Sequence, residues 1–435
     1  MANRHGRVDM TNFLNSTTRT TAWSITAAFG TYFCMYAFRK PFTAASFAQT
    51  MAWGIDFKTI LITAQVLGYT ISKFVGIKII AEMPANMRAR TILLLIAIAE
   101  LALLLFAVVP APASAICLFL NGLPLGMVFG LVLGFLEGRQ QTEFLTAGLC
   151  SSFILADGVM KSLGAQLLAV GVAAAWMHFT AGLVVAPALL LFVTMLSRIP
   201  APSREDVAAR SARGTMDHAQ RVSLYRRYAV GLTAIVVIYL AATVVRSIRA
   251  DFAPEIWHGL GVTAVAETFT YSEIFVALGV LAVCGATILI RDNRVAFFTS
   301  LGTCGAGMLL LMATLAGQSL GIVSPFAFMV LVGLGLYLPY VAIQTTVFER
   351  LLAMTRHHGT IGFLMYVADS AGYLGYAGVM LSKQVVTNTG NLLDYFVAAS
   401  WLAAGCSLAA LVVAWRYFDR VEHSAAPLAT ADSIA

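Results

Sequence analysis

Twelve long apolar segments separated by short polar loops constrain this chain more than any other feature. An α-helix needs about 20 residues to cross roughly 30 Å of hydrocarbon. Segments of that length fall near residues 21–48, 57–80, 90–109, 113–136, 143–171, 177–198, 227–257, 270–290, 294–316, 322–348, 359–383 and 391–417. Because a bilayer holds no water to satisfy open backbone groups, such segments must be helical. The expected fold class is an all-α polytopic membrane protein with twelve transmembrane helices. Composition agrees: 59% of the 435 residues are hydrophobic and 11% charged, which excludes an ordinary soluble globule. The first segment is too long for a signal peptide and runs into Arg39-Lys40-Pro41 without a small-residue cleavage site, so it reads as a retained span.

Residues 200–226 are rich in Ala, Ser, Arg and Asp and poor in large apolar side chains, which reads as a polar linker. It divides the chain into an N-terminal six-helix bundle, 1–199, and a C-terminal one, 227–435. The net charge of +7 does not point to nucleic acid, because the basic residues sit in short loops where they set membrane orientation. With the N-terminus in the cytoplasm, the loops and tails on that side hold nineteen arginines, among them Arg4, Arg88, Arg139, Arg291, Arg350 and Arg420, whereas Lys40, Lys58, Arg249 and Lys383 fall outside. Both termini are therefore expected in the cytoplasm, in keeping with an even number of spans. A bacterial inner membrane is the expected location.

The two halves resemble each other, as repeated halves of secondary transporters do. Tyr32 precedes Arg39 by seven residues in the first span, and Tyr239 precedes Arg246 by seven in the seventh. Ala156-Asp157 to Gly164 in the fifth span resembles Ala368-Asp369 to Gly375 in the eleventh. The fourth and tenth spans end in Glu137-Gly138-Arg139 and Glu349-Arg350.

Charges inside the spans are the candidates for chemistry. A charged side chain near the bilayer centre costs about 2.5 to 3.5 kcal/mol on insertion scales, so it persists only when paired or facing water. Tyr32, Tyr36 and Arg39 fall at i, i+4 and i+7, one face of a helix, giving an anion-binding stripe or an arginine that snorkels or neutralises a neighbouring carboxylate. Arg246, with Tyr239, is its counterpart, and two guanidinium forks facing each other suit a dianion. Arg249, one turn further on, is expected at the outer surface beside Asp251. Asp157 and Lys161 stand at i, i+4 and form either a cavity-lining pair that changes partners or a neutralised buried pair. Tyr366, Asp369, Tyr373 and Tyr376 make a polar stripe on the eleventh span, in which Asp369 either binds a proton or serves as counter-ion to Arg39 or Arg246. Gln65 and Tyr69, and Tyr337, Tyr340 and Gln344, are candidate hydrogen-bonding walls. Glu82 with Arg88, Glu137 with Arg139, and Glu349 with Arg350 are candidates for ion pairs that gate the cytoplasmic end, or are loop charges that set topology. Glu100 has no evident partner. The six cysteines lie in apolar segments without ligand-like spacing, and there is no His-Glu-x-x-His, Gly-x-Ser-x-Gly or His/Cys cluster. No metal site, cofactor or enzymatic activity is expected.

The twelve spans, the related halves, the middle linker and the Gly76 to Arg90 segment resemble the major facilitator superfamily. Within it, Tyr36-Ala-Phe-Arg39-Lys40-Pro41-Phe42 is similar to the first-helix motif of the organophosphate:phosphate antiporter branch. Gly68-Tyr69-Thr-Ile-Ser72-Lys73-Phe74 is similar to its second helix, and Val245-Arg246 with Asp251 and Pro254 to its seventh. The resemblance implies that Arg39 and Arg246 bind the phosphate of the substrate. The chain departs from that branch in the fifth helix, where Asp157, followed by Lys161, stands in place of a histidine. The expected function is a monomeric secondary transporter of a small organic anion, such as a phosphorylated metabolite, working by alternating access. The alternatives are a proton-coupled symporter or exporter using Asp157 or Asp369, or a non-transporting sensor on the same fold.

Overall fold

The computed structural model describes residues 5–45, 47, 51–52, 55–137, 139, 141–202, 218–263, 265–355, 361–386 and 392–431. Twelve long helices follow in order: α1 His5–Met35, α2 Phe57–Glu82, α3 Ala85–Val108, α4 Ser114–Leu133, α5 Thr142–Ala169, α6 Ala174–Ser197, α7 Ala229–Asp251, α8 Ala266–Ile288, α9 Asn293–Ser319, α10 Pro325–Ala342, α11 Ile361–Val386 and α12 Leu392–Ala431. Ten of them are long and apolar enough to cross a membrane on length and composition alone. The other two are α1 and α11; α11 carries the stripe of Tyr366, Asp369, Tyr373 and Tyr376, whose polarity lowers its hydropathy.

The helix ends follow from local chemistry. Asp56 and Asp292 accept from the backbone N–H of Thr59 (3.1 Å) and Val295 (2.8 Å), capping α2 and α9. Ser324 caps α10, with Pro325 in the first helical position, where a missing N–H costs nothing. Beyond α5 and α9 the chain turns at Gly171 and Gly321, whose φ values of 92° and 69° are open to glycine and costly to other residues. A two-residue ladder pairs Met51–Ala52 with Ile55–Asp56 between α1 and α2. Part of the expected polar linker is helical, His218–Arg227, and residues 203–217 lie outside the described part.

In the first half, α4 packs on α1, α2 and α3, and α6 packs on α1, α3 and α5. In the second half, α7 packs on α10, α11 and α12, and α9 packs on α10 and α12. The halves meet along two seams, α5 against α8 and α2 against α11. Both seams are tight. A Cβ on Gly158 of α5 would meet the Glu273 side chain of α8 at 2.7 Å, and the Tyr69 and Tyr373 rings of α2 and α11 stand 4.8 Å apart.

The described side chains correct the expected first span. The α-helix stops at Met35, a 3₁₀ turn covers Tyr36–Phe38, and a second one covers Pro41–Ala44. Pro41 has no N–H to donate to the carbonyl one turn earlier, and the helical path is lost at Arg39, whose φ of −124° leaves the helical range. The N–H groups of Arg39 and Lys40 both turn back to the Tyr36 carbonyl, at 3.0 and 2.9 Å. A second irregularity lies in α10, where Pro339 is followed by a π-helical turn, Ile343–Val347, before a last helical stretch, Phe348–Thr355.

Candidate functional site: two arginines in a tyrosine cage

The break after α1 turns Arg39 toward the inter-half seam. Its guanidinium lies over the Tyr69 ring, 4.0 Å from the centroid, with Tyr373 at 5.6 Å and Tyr36 at 5.8 Å. Arg246 of α7 lies over Tyr340 at 4.3 Å, with Tyr337 at 5.5 Å. Tyr36 and Tyr373 are within electrostatic reach of both guanidiniums, so the two arginines share one layer. Tyr32 closes one side, edge-on to Tyr36 and to Phe129.

The two arginines differ from the other buried cations. Each is only 5% exposed, and the Nε of each lacks a hydrogen-bond partner among the described residues. Every other buried lysine or arginine among the described residues forms an ion pair: Lys40, Lys58, Lys73, Lys161 and Arg249. Arg39 and Arg246 form none with a described carboxylate; Arg246 makes a 3.5 Å contact to Ser247 Oγ. Tyrosine faces attract a guanidinium but carry no charge to balance it.

The ion pairs sit above and below this layer. For orientation, the odd-numbered helices begin at the proximal end of the molecule and finish at the distal end. On the proximal side, Lys73 of α2 meets Asp369 of α11 at 2.7 Å. Asp369 also accepts from Tyr239 and, at 3.3 Å, from Gln344, which reaches the Tyr239 hydroxyl at 2.6 Å. Asp369 is thus counter-ion to Lys73, not to Arg39 or Arg246. Lys73 had a legible signal: it stands four residues after Tyr69, on the same face of an apolar helix. Tyr239 faces Asp369 rather than the arginines, and Tyr366 lies beside Lys73 (5.7 Å) with its hydroxyl against Gly130.

On the distal side, Lys40 pairs with Asp251 of α7 and stands 3.3 Å from Asp157 of α5. Asp157 is also paired with Lys161, the i, i+4 partner read from the sequence. Tyr376 donates to Asp251 at 2.8 Å. Lys58 meets Glu255 at 2.5 Å and the Thr43 carbonyl at 2.7 Å. Arg249 meets Glu273 at 2.7 Å and donates twice to the Met329 carbonyl. Three of the four cations assigned to the outer loops are therefore buried: Lys40 at 5%, Lys58 and Arg249 at 1%. The fourth, Lys383, has its side chain outside the described part. Burial is possible because each has a carboxylate from another element, a pairing between distant segments that sequence spacing does not reveal. Asp251 belongs to Lys40 and Tyr376, not to Arg249.

Of the gating candidates, Arg350 pairs across the halves with Glu143 at the start of α5 (2.9 Å) and, within its own half, donates to Asn293 (2.8 Å). Arg88 donates to the Gly134 carbonyl, and Arg139 to the Pro200 carbonyl, so both tie down chain within the first half. Glu137 is exposed, Glu349 half-buried, and the Glu82 side chain lies outside the described part. Gln65 is turned away from the arginine side chains, toward the Arg39 carbonyl and Asn121. Glu100 lies against Gly182 with neither carboxyl oxygen hydrogen-bonded to a described residue. No group of His, Cys, Asp and Glu suited to a metal occurs among the described residues.

Twelve helices in two sets of six, with charged layers buried between them, define a polytopic membrane protein with the major facilitator fold. Solved structures support that architecture. The major facilitator superfamily proton:xylose symporter XylE bound to 6-bromo-6-deoxy-D-glucose is 14% identical, with a TM-score of 0.62 over 92% of this chain and 96% of that one. The nucleoside transporter NupG is 14% identical, with a TM-score of 0.55 over 92% and 100%. A POT family transporter in complex with a thioalcohol-conjugated peptide is 13% identical, with a TM-score of 0.57 over 92% and 96%. No curated protein matches the sequence. Residues 41–421 match the model of a family described as a family of unknown function, DUF5690, and the chain belongs to that family.

Proposed function

We propose that this protein is a secondary transporter of a small organic anion, held between Arg39 and Arg246. One observation carries the reading: these are the only two buried cations without a carboxylate partner among the described residues. A guanidinium out of water and unpaired is costly, and a substrate carboxylate or phosphate supplies the missing charge with matching bidentate geometry. Two uncompensated positive charges favour a dianion. One arginine comes from each half, so an anion bound to both lowers the cost of bringing the halves together, which is what alternating access requires. The motif likeness to organophosphate:phosphate antiporters makes a phosphorylated metabolite the first class to try. The Lys40–Asp251 and Glu143–Arg350 pairs join the halves at opposite ends and are suited to act as alternating gates. The site lies within one chain, so a monomer suffices, and the arginine-rich loops favour both termini in the cytoplasm of a bacterial inner membrane.

A proton-coupled reading would use Asp157 or Asp369, but each already has a lysine as its ion-pair partner. The test is a thermal-stability screen against phosphorylated metabolites and inorganic phosphate, followed by counterflow in proteoliposomes. Arg39→Lys keeps the charge but loses the fork, and is expected to abolish exchange. Wild-type counterflow in that variant, or the absence of stabilisation by any anion, overturns the proposal. Flux that follows a pH gradient and vanishes without one supports the proton-coupled reading instead.

A further inference from the structure

We infer that Asn121, acting with Gln65, is a positioning residue that aims Arg39 at the anion; this rests on the anion-binding reading above. Breaking a helix leaves backbone carbonyls without intrahelical donors, and buried ones need partners. Asn121 Nδ2 donates to the Phe38 carbonyl at 3.0 Å and to the Ala99 carbonyl at 3.1 Å. Gln65 Nε2 donates to the Arg39 carbonyl at 3.2 Å and to Asn121 Oδ1 at 2.8 Å. Each amide nitrogen has two N–H groups and each spends both, so neither is left to donate to a substrate. Asn121 is 0% exposed in an otherwise apolar helix, where a polar side chain persists only if fully satisfied.

The placement links backbone to head group. Gln65 and Tyr69 stand one turn apart on α2, the first holding the Arg39 carbonyl and the second lying beneath its guanidinium. Arg39 is fixed at both ends by one helix, and Asn121 locks that helix to the break. The reach depends on close helix approach, since a Cβ on Gly122 would meet the Tyr69 backbone nitrogen at 2.9 Å and the Gln65 carbonyl carbon at 3.1 Å.

The test measures the affinity of the purified full-length protein for inorganic phosphate and for sulfate, by calorimetry in detergent. The proteins are wild type, Gln65→Met and Asn121→Leu, with Gln65→Met also combined with Arg39→Lys and with Arg246→Lys. Gln65→Met and Asn121→Leu are each expected to weaken phosphate binding by about tenfold, the effect of about 1.4 kcal/mol, roughly one hydrogen bond's worth of aim, and an unchanged affinity in Asn121→Leu removes Asn121 from that role. Gln65→Met should weaken binding equally in the Arg246→Lys background and add almost nothing to Arg39→Lys, because its effect passes through Arg39. Ser162→Ala, which removes buried hydrogen bonds at the other seam, should leave affinity unchanged. An unchanged affinity in Gln65→Met, or an equal loss in all three backgrounds, overturns the positioning role while leaving the anion site standing. Wild-type protein that binds neither anion overturns the anion reading and this inference with it.

Discussion

The Lys73–Asp369 pair offers the most direct measurement of how the buried charges are balanced. Asp369→Asn preserves shape and still allows hydrogen bonds to Tyr239 and Gln344, but leaves the Lys73 ammonium facing only rings. Those are Tyr69 at 5.2 Å, Phe129 at 5.5 Å and Tyr366 at 5.7 Å. Removing one partner of a buried pair costs about 3 to 5 kcal/mol, and because the rings stay in place around the ammonium, a loss in the lower part of that range, about 3 to 4 kcal/mol, is expected. Lys73→Met should cost less, about 2 kcal/mol, because Asp369 keeps two donors and hydrogen bonds to a charged acceptor are worth about 1.5 to 3 kcal/mol each. The double variant strands neither charge and should fall between the two singles, giving a coupling of about 2 to 3 kcal/mol. Equilibrium unfolding in mixed detergent micelles, run as a complete cycle, reads these values. A double variant as unstable as the sum of the singles would mean that the two groups do not compensate each other, and the assignment of Asp369 to Lys73 would fall.

Two further outcomes follow from the packing and the distal ion pairs. Gly122→Ala should cost about 2 to 3 kcal/mol, since the clash is with α2 backbone that cannot turn aside, whereas Gly285→Ala, with nothing within 4 Å, should gain about 0.5 to 1 kcal/mol of helix propensity. Comparable melting shifts for the two would refute the close α2–α4 approach. Lys40→Met removes the distal tie between halves. Labelling of Ala45→Cys by a membrane-impermeant thiol reagent, in a Cys406→Ser background, should rise by about tenfold if the pair contributes about 1.4 kcal/mol to closure; an unchanged rate would remove Lys40 from the gate.

What the sequence made legible was whatever repeats at helical spacing or spans a fixed thickness. Apolar length marks the helices, the seven-residue Tyr-to-Arg interval marks Arg39 and Arg246, and the i, i+4 interval marks Asp157 with Lys161. The α11 stripe also survives: Tyr366 and Asp369 reach Lys73, Tyr373 stacks on Tyr69, and Tyr376 reaches Asp251, all along one face. What stayed hidden were contacts made across the seams. Nothing near Lys58 announces Glu255, nothing near Asp369 announces Lys73, and Asn121 reads as one amide in an apolar run until α2, α3 and the turn after α1 are brought against α4. Orientation statistics misplaced Lys40 and Arg249 for a physical reason: they count a lysine or arginine near a helix end as a loop charge, and a buried carboxylate from another helix removes that premise.

The break at Arg39-Lys40 gives adjacent cations different surroundings. On a continuous helix, neighbouring residues point about 100° apart and stay within one side chain's reach of the same layer. Here the chain turns between two 3₁₀ segments, so Arg39 faces α2 and α11 in the tyrosine layer while Lys40 faces α5 and α7 in the distal layer. Arg39 lacks a carboxylate and Lys40 has two within reach, one on each half. A displacement of this short segment by an anion at Arg39 would carry Lys40 with it, between Asp251 across the seam and Asp157 on its own side. On the proposed anion-binding reading, the residues that fix the break set both how firmly the anion is held and how firmly the distal end is shut. Pro41, which removes a helical hydrogen bond at the break, and the Gln65–Asn121 amides, which satisfy the carbonyls that the break exposes, belong to that set as much as the arginine itself.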